Sequence, residues 1–469
     1  MWAVLMTQVR NKALADVTMT PFWLDRPDAP EPRERLTRHL KADLLVVGGG
    51  FTGLWGAIQA KQRQPEIDVI LIEKGSVANG ASGRPGGVVS TSVMHGLSNA
   101  VRIFPKDIAA LEKLGQENMH GFLKTLEEHA IDCHAEWGGE LTVAVDDAHI
   151  EALHEEHELH LKYGHQAVFL DQSAVRAEIH SPRYKAGVWS KHICGTVHPA
   201  LLAFGLKRVA LTLGVRIFEN TELTGLEDLG DRMKAHAPSG SVTAPKVLLA
   251  TNAFAAGHRK IKNRVVAVRD RVLATEPLSA EQMAAIGWSH RQGVYDTRTQ
   301  MNYMRLTKDN RIIFGGRLAY AFAGDPFPSI DRELDTYEPL AAAFFDTFPQ
   351  LEGLRFSHAW SGPIDLSTRM AVHFQRYHDE KVVYAGGYSG FGVSASRFGA
   401  RIALDILDGS KTPESRLDFA TSLPNTIPPE PFRWLGAQIT MYALDTADKS
   451  GGWRRPWLKM VSAMGFPLS

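Results

Sequence analysis

The sequence predicts an α/β fold that begins with a parallel strand, a helix and a second parallel strand. The apolar run at 44–47 is short and partly β-branched, as in a buried parallel strand. A GxGxxG pattern follows at 48–53, then a helical pattern and a second apolar run at 69–72 that ends on Glu73. Strand, helix and strand in this register are typical of the Rossmann-like dinucleotide-binding unit.

Each glycine of this pattern has a physical role. Gly48 permits the tight turn out of the strand, Gly50 leaves space for a pyrophosphate, and Gly53 lets the helix pack closely. The helix N-terminus offers unpaired N–H groups to phosphates. Glu73 lies 20 residues after Gly53, where an acidic residue meets ribose hydroxyls, so FAD and NAD remain as alternatives and a 2′-phosphate is disfavoured. The other residues expected to bind the dinucleotide here are Phe51, Thr52 and Lys74.

Composition narrows the class of protein. A chain of 469 residues suggests two domains, at about 150 residues each. Lys plus Arg and Asp plus Glu both number 52, so charge gives no reason to expect nucleic acid as a partner. Cys133 and Cys194 lack CxxC spacing, so we expect no bound metal, no disulfide framework and a reduced, cytoplasmic location. We expect no transmembrane segment, since no run of about 18 apolar residues occurs, and we interpret residues 1–18 as a disordered extension.

A second segment rich in glycine and alanine follows Glu73, at 74–87. Its small residues fit no helical period, which indicates that backbone approaches another group closely. Ser and Arg side chains within it are suited to phosphate oxygens. The candidate binding residues are Gly80, Ala81, Ser82, Arg84, Gly86 and Gly87.

A third glycine-rich turn lies far along the chain. An apolar run at 382–385 is typical of a buried strand, and GGYSGFGV follows it at 386–393. A helical pattern with small residues near its start continues to residue 407. Strand, glycine turn and helix N-terminus again form an arrangement suited to negative charge.

Two of these segments carry a resemblance to a known family. GGGFTGLWGA at 48–57 and GASGRPGG at 80–87 resemble the FAD-dependent oxidoreductases of the D-amino-acid-oxidase (DAO) superfamily, with Pro85 where Asn is usual in the second motif. The resemblance extends over about 21–415. Within the superfamily, the γ-glutamylputrescine oxidase-like enzymes and the aminophosphonate oxidoreductase branch are the most similar.

The resemblance implies a glutathione-reductase-like flavoprotein with two interleaved domains. The expected divisions are a lead-in at 1–35, a Rossmann-like FAD-binding domain at 36–95, 190–258 and 356–415, an α+β substrate domain built on an antiparallel sheet at 96–189 and 259–355, and a tail at 416–469.

The family also implies particular flavin contacts. Backbone near Leu223 is expected on the adenine side, and Thr251 and Asn252 near the flavin. N–H groups of the third turn are expected to face the pyrimidine oxygen of the flavin, where negative charge collects on reduction. The FAD is expected to be noncovalent, because no Cys lies near this turn to form a thioether with the flavin. His95, after the second motif, is the one nearby histidine that could form a covalent bond. The turn residues concerned are Gly387, Gly390, Phe391, Gly392 and Val393.

The substrate residues are predicted less sharply. Tyr303 and Arg305 share one face of an alternating strand and are suited to a polar or anionic substrate end, or alternatively to a salt-bridged surface pair. Trp360 and His95 complete the candidate catalytic set. The segment 360–367 lacks the Arg that binds a carboxylate in related amino-acid oxidases, so a free α-amino acid is disfavoured.

The expected activity is oxidation of a small-molecule amine. The candidates are γ-glutamylputrescine-like amines, N-methyl amines and aminophosphonates, each oxidised to an imine that hydrolyses to an aldehyde. Oxygen is the expected electron acceptor, with hydrogen peroxide as product. The alternatives are an amine dehydrogenase with another acceptor and a non-enzymatic flavoprotein subunit. The oligomeric state is not predicted.

Between 260 and 355 the pattern predicts a more strand-rich region. Strands are expected at 265–268, 272–274, 301–306 and 311–314, and a helix at 332–348. Two earlier helices are expected at 107–129 and 146–163. The histidines in the second of these have spacing that favours a solvated polar face over a metal site. The tryptophans and basic residues of the tail indicate packing on the body or a partner subunit, with an interfacial membrane anchor as the alternative.

Overall fold

The computed structural model describes residues 12–191, 194–257, 261–448 and 450–466. A six-stranded sheet, here called the parallel sheet, has Leu44–Val47 near its centre, with parallel neighbours on both sides. Only its edge pair, the first two strands in the following order, is antiparallel. The order is His373–Tyr377, Val382–Gly386, Lys246–Leu249, Leu44–Val47, Val69–Ile72 and Arg216–Phe218. The predicted Rossmann-like unit is therefore confirmed.

A second sheet, here called the antiparallel sheet, has eight strands. Its one parallel pairing joins Gly293–Asp296 to Glu140–Ala144. Phe356–Leu366 belongs to this sheet, so the predicted segment 356–415 contributes to both sheets. The order is Phe356–Leu366, Val266–Thr275, Ile312–Ala319, Asn302–Leu306, Gly293–Asp296, Glu140–Ala144, Ala186–Ser190 and Ala167–Leu170.

Two smaller sheets complete the strands. One has the order His39–Lys41, Gly240–Ala244, Met233–Ala237 and Gly225–Asp228, and the other pairs Val88–Ser90 with Cys194–Thr196. The α-helices that lie wholly within the described residues after residue 14 are Phe51–Arg63, Leu97–Ile103, Ile108–Glu128, Ile150–Lys162, Gln172–Glu178, Pro199–Thr212, Ala280–Ile286, Glu338–Thr347, Gly392–Leu407, Asp418–Thr421, Phe432–Thr446 and Arg454–Ala463. No helix in the described part of the chain is long and apolar enough to cross a membrane.

The region 260–355 differs from the prediction in two places. The two short strands expected at 265–268 and 272–274 are one strand, Val266–Thr275. Its charged centre looks like a turn in sequence, but Arg269 is buried and donates to the carboxylate of Asp331. The expected helix at 332–348 begins only at Glu338, with a proline in its first turn.

The start of the described chain is packed rather than disordered. Ala13 and Leu14 are buried in the core of the antiparallel sheet, and Thr18 bridges to His358. The prediction of a disordered extension is therefore wrong for residues 12–18, because apolar side chains there pack in the core. Residues 1–11 lie outside the described residues.

The histidines of helix Ile150–Lys162 do not form a metal centre. His154 stacks on Phe169 with ring centroids 3.9 Å apart, and Nδ1 of His160 lies 2.8 Å from Nδ1 of His165. Within the described ranges, no group of three or more His, Cys, Asp or Glu side chains is placed to hold a metal ion.

Candidate functional site

A cavity of about 1730 Å³ lies where the two sheets meet. It is larger than the roughly 300–1,000 Å³ of a site for a drug-sized ligand, so it has space for a dinucleotide and a substrate together. All three glycine-rich segments contribute to its wall. The predicted site residues that line it are Gly48, Gly50, Phe51, Thr52, Glu73, Lys74, Gly80, Ala81, Ser82, Arg84, Gly86, Gly87, His95, Leu223, Thr251, Asn252, Tyr303, Gly390, Phe391, Gly392 and Val393.

The first glycine turn is tightly packed. Gly48 has φ +111°, and a Cβ there would lie 2.5 Å from the carbonyl oxygen of Ala250. A Cβ at Gly53 would lie 1.9 Å from the carbonyl oxygen of Gly48, so Gly53 lies behind the turn and determines its shape. The hydroxyl of Ser82 accepts a hydrogen bond from the N–H of Phe51 at 2.9 Å. This bond joins the first and second glycine-rich segments at one helix N-terminus.

Glu73 lies at the end of the second parallel strand, as the sequence predicted. Its carboxylate accepts hydrogen bonds from the N–H groups of Gly49 at 2.6 Å and Gly75 at 2.8 Å. Burial is the main cause that raises the pKa of Glu73, and these backbone donors oppose it. The adjacent Lys74 pairs with Glu222 at 2.8 Å.

In the second segment, the side chain of Arg84 is hydrogen-bonded to other parts of the protein. Its guanidinium donates to the carbonyl oxygens of Asn79 at 3.1 Å and Ser361 at 3.0 Å, and lies 4.7 Å from the ring of Phe327. Burial lowers the pKa of Arg84 to about 10. Arg84 therefore ties this segment to strand Phe356–Leu366, and its predicted contact with phosphate stays a prediction.

The third glycine turn holds a carboxylate that the sequence analysis missed. Asp365 is buried and accepts a hydrogen bond from the N–H of Gly387. Burial raises the pKa of Asp365 to about 6, against the effect of backbone N–H donors that include Ser389 and Tyr388. Gly387 thus lies behind the cavity, and residues 390–393 form the part of the turn that lines it.

A buried acid and a tyrosine form the opposite wall. The hydroxyl of Tyr303 donates to Oδ2 of Asp270 at 2.6 Å, and both residues line the cavity. Oδ1 of Asp270 is buried without a hydrogen-bond partner in the described structure. Burial raises the pKa of Asp270 to about 7, and the hydrogen bond from Tyr303 opposes this rise. The sequence analysis missed Asp270 because it lies within the charged stretch that read as a turn.

Aromatic rings surround this pair. The ring of His95 lies 4.5 Å from that of Phe391, and Tyr295, which the sequence analysis also missed, lies 6.5 Å from Phe391 and 6.4 Å from Tyr303. Burial lowers the pKa of His95 to about 4, so this imidazole is neutral near pH 7. This part of the wall therefore combines the carboxyl of Asp270 with several aromatic rings.

Glycines position the ring of Tyr303. A Cβ at Gly86 would lie 2.6 Å from this ring, and a Cβ at Gly315 would lie 2.0 Å from it. Both distances are shorter than any real contact with Cβ, so the ring keeps its place only while both positions are glycine. The second glycine-rich segment thus shapes the acid–tyrosine wall as well as the wall beside the first turn.

Two predicted catalytic residues lie behind the cavity wall. Arg305 is buried and donates to the carbonyl oxygens of Val197 at 2.6 Å and Leu306 at 2.9 Å. Trp360 donates from Nε1 to the carbonyl oxygen of Arg84 at 2.9 Å. Neither side chain lines the cavity, so the geometry gives no support to their predicted substrate contacts. Residues 303 and 305 share a strand face as expected, but the cavity ends at Tyr303.

Comparison with known proteins identifies the family of the chain. The model of the DAO family, described as FAD dependent oxidoreductase, matches residues 43–406. The chain is 31% identical over 401 residues to gamma-glutamylputrescine oxidoreductase of Escherichia coli (strain K12), covering 84% of this chain and 89% of that protein. Glycine oxidase from Geobacillus kaustophilus superposes with a TM-score of 0.68 at 18% identity, over 82% of this chain and 99% of that one. L-proline dehydrogenase from P. horikoshii gives 0.65 at 18% identity, over 80% and 95%.

The fold and the glycine-lined cavity define an FAD-dependent oxidoreductase. More particularly, the chain belongs to the DAO family, which confirms the resemblance, the fold class and FAD as the cofactor.

The residues present fit an FAD. Helices Phe51–Arg63 and Gly392–Leu407 both begin at the cavity, and neither is capped by the side chain of its own N-cap residue. The first helix would hold the pyrophosphate and the second the pyrimidine end of the flavin, since each N-terminus favours negative charge.

Proposed function

We propose that the protein oxidises a primary or secondary amine at the carbon next to nitrogen. Bound FAD supplies the acceptor for the hydride that leaves this carbon. The imine product hydrolyses to an aldehyde and a shorter amine or ammonia. The observation that carries the proposal is the Asp270–Tyr303 pair, which faces the same cavity as the glycine turns.

Asp270 is suited to bind an ammonium group and to take its proton. An amine must be neutral before it can lose hydride, and a base with a pKa close to the working pH is the most effective. The raised pKa of Asp270, about 7, places it in this range. Asp270 lines the cavity beside Tyr303, so a substrate ammonium group would approach the pair from the cavity.

The aromatic wall supports the same reading. Faces of Tyr295, Tyr303 and Phe391 attract a cation and exclude water from it. His95 is neutral and adds no competing positive charge. This wall therefore favours a cationic amine over an anion.

A free α-amino acid fits the site less well. Arg305 lies behind the wall, and segment 360–367 contributes no arginine to bind a carboxylate beside the reacting carbon. We propose a γ-glutamylated amine, an N-methyl amine or an aminophosphonate as substrate, since the first of these classes also matches the name of the Escherichia coli relative. We also propose oxygen as acceptor, hydrogen peroxide as product, a cytoplasmic location and noncovalent FAD.

Anaerobic bleaching of the flavin absorbance tests the proposal. Purified holoenzyme should lose its absorbance near 450 nm within seconds when mixed with the correct amine, and regain it in air with release of peroxide. Bleaching without peroxide would favour a dehydrogenase with another acceptor. No bleaching by any amine class would leave a non-enzymatic flavoprotein. Acid precipitation should release the flavin into the supernatant if it is noncovalent.

A further inference from the structure

The two helices Phe432–Thr446 and Arg454–Ala463, here called the C-terminal hairpin, lie beyond residue 406, where the family match ends. Nevertheless the hairpin and its flanking residues form part of the cavity wall. The lining residues that they supply are Leu444, Ala447, Arg455, Leu458, Lys459 and Phe466. This part of the cavity wall therefore comes from residues outside the segment that the family model matches.

The hairpin is attached to the cavity by specific polar contacts. Asp445 accepts a hydrogen bond from Arg317, and Asp448 accepts one from the N–H of Thr299 at 2.9 Å. Both Arg317 and Thr299 line the cavity. Buried Ala443, Leu444, Ala447 and Leu458 hold the two helices together. These contacts attach the hairpin to residues that line the cavity.

Two cations of the hairpin, Arg455 and Lys459, line the cavity and are also exposed to solvent. Arg455 and Lys459 are four residues apart on one helix, so they share a face. Within the described ranges neither has an ion pair or hydrogen bond. Every other lysine or arginine that lines the described cavity has a protein partner. Lys74 pairs with Glu222, Arg298 with Asp296 and Arg317 with Asp445, and Arg84 donates to the carbonyl oxygens of Asn79 and Ser361.

We propose that Arg455 and Lys459 bind an anionic group, a carboxylate or a phosphonate, at the end of the substrate remote from the reacting amine. This inference rests on the proposed function. An unpaired cation pair on a cavity wall attracts anions, and Arg and Lys are the usual donors to carboxylate and phosphonate oxygens. Asp270 lies in the same cavity and attracts the ammonium end. A substrate with opposite charges at its two ends is therefore oriented with the amine at the flavin.

The test compares a double variant with a charge-matched control. R455Q/K459Q removes the proposed site, and K106Q/K411Q removes two exposed lysines that do not line the cavity. For an amine with a carboxylate or phosphonate end, the first variant should raise KM about 10- to 100-fold with kcat nearly unchanged. The control should behave as wild type, and so should both proteins with the neutral amide of the same amine.

A second measurement separates this inference from the proposed function. Calorimetric titration of holoenzyme with methylphosphonate or glutarate should show binding that the control keeps and R455Q/K459Q loses. If no amine bleaches the flavin but this difference is found, the proposed function fails and the anion site stands. Equal anion binding by all three proteins, or an unchanged KM in R455Q/K459Q, would overturn the assignment.

Discussion

The hydroxyl of Tyr303 lies 2.6 Å from Oδ2 of Asp270, a residue 33 positions earlier in the sequence and on a different strand. The strand of each residue pairs with Ile312–Ala319, which lies between them in the antiparallel sheet. Asp270 is the ionisable group of this wall whose raised pKa, about 7, suits proton transfer from an amine.

Asp270→Asn should reduce kcat/KM for an amine substrate by at least about 100-fold, because general-base contributions are typically of that size. The amide keeps the volume of the side chain and can still accept from Tyr303, so flavin content should be unchanged. The measurement is anaerobic flavin reduction by stopped flow, with the 450 nm absorbance as the control for bound FAD. A variant with full flavin and wild-type reduction rate would contradict the role of Asp270.

Tyr303→Phe should move the acid limb of the pH profile of kcat/KM to higher pH. The hydrogen bond from Tyr303 lowers the pKa of Asp270, so its loss lets burial raise that pKa further above about 7. Activity requires the ionised carboxylate and therefore rises as pH passes through this value. An acid limb at the same pH in wild type and Tyr303→Phe would show that another group titrates.

The same carboxyl makes stability depend on pH. Burial raises the pKa of Asp270 from 3.8 to about 7, so the folded protein retains a proton that the unfolded chain loses between these values. The free energy of unfolding contributed by this group therefore falls as pH rises from about 4 to about 7. Thermal unfolding at pH 5 and pH 8 should show a smaller loss of Tm in Asp270→Asn than in wild type. A larger loss in the variant would have the wrong sign.

Arg305→Ala should lower stability and leave KM nearly unchanged. Its guanidinium is buried and satisfies the carbonyl oxygens of Val197 and Leu306, which the variant leaves without that donor. A loss of about 2–5 kcal/mol in the free energy of unfolding is expected. Denaturant unfolding and steady-state kinetics on the folded fraction measure the two effects. A steep rise in KM without loss of stability would return Arg305 to the substrate site.

Gly50→Val should yield colourless apoprotein, because a side chain at this position enters the space proposed for the pyrophosphate and meets the hydroxyl of Ser82. A Cβ at Gly50 would already lie 2.9 Å from that oxygen. Gly225→Val is the matched control, since a Cβ there would meet nothing within 4 Å. The ratio of absorbance at 450 and 280 nm measures occupancy. Yellow Gly50→Val with full flavin would reject the phosphate role of this turn.

The sequence located most of the glycine-rich turns that line the cavity, but little of the opposite wall. One local strand–turn–helix–strand unit contains Gly48, Gly53 and Glu73. Their spacing in sequence therefore predicts their relative positions in the structure. Asp270 looked like part of a turn because Arg269 and Arg271 flank it, but in the structure both arginines pair with Asp331 and the strand continues through them. Pairing between distant charges has no signature in a single sequence.

Arg305 shows the limit of strand alternation. The pattern correctly placed it on the face of Tyr303, but alternation does not say where along a strand a cavity ends. Gly87 and Val197, from two other parts of the chain, close the wall above it. For the tail, the sequence indicated only an unusual composition. The structure places residues of the C-terminal hairpin on the cavity wall.

The sequence by itself determined the Rossmann-like unit, the family and the cofactor, because glycine spacing and buried apolar runs act over short stretches of chain. Tertiary structure alone decided which side chains face the cavity: Asp270, Tyr295, Arg455 and Lys459 on its wall, and Arg305 and Trp360 behind it. The physical reason is that a wall is built by sheet register and by contacts between residues far apart in sequence, which no local pattern encodes.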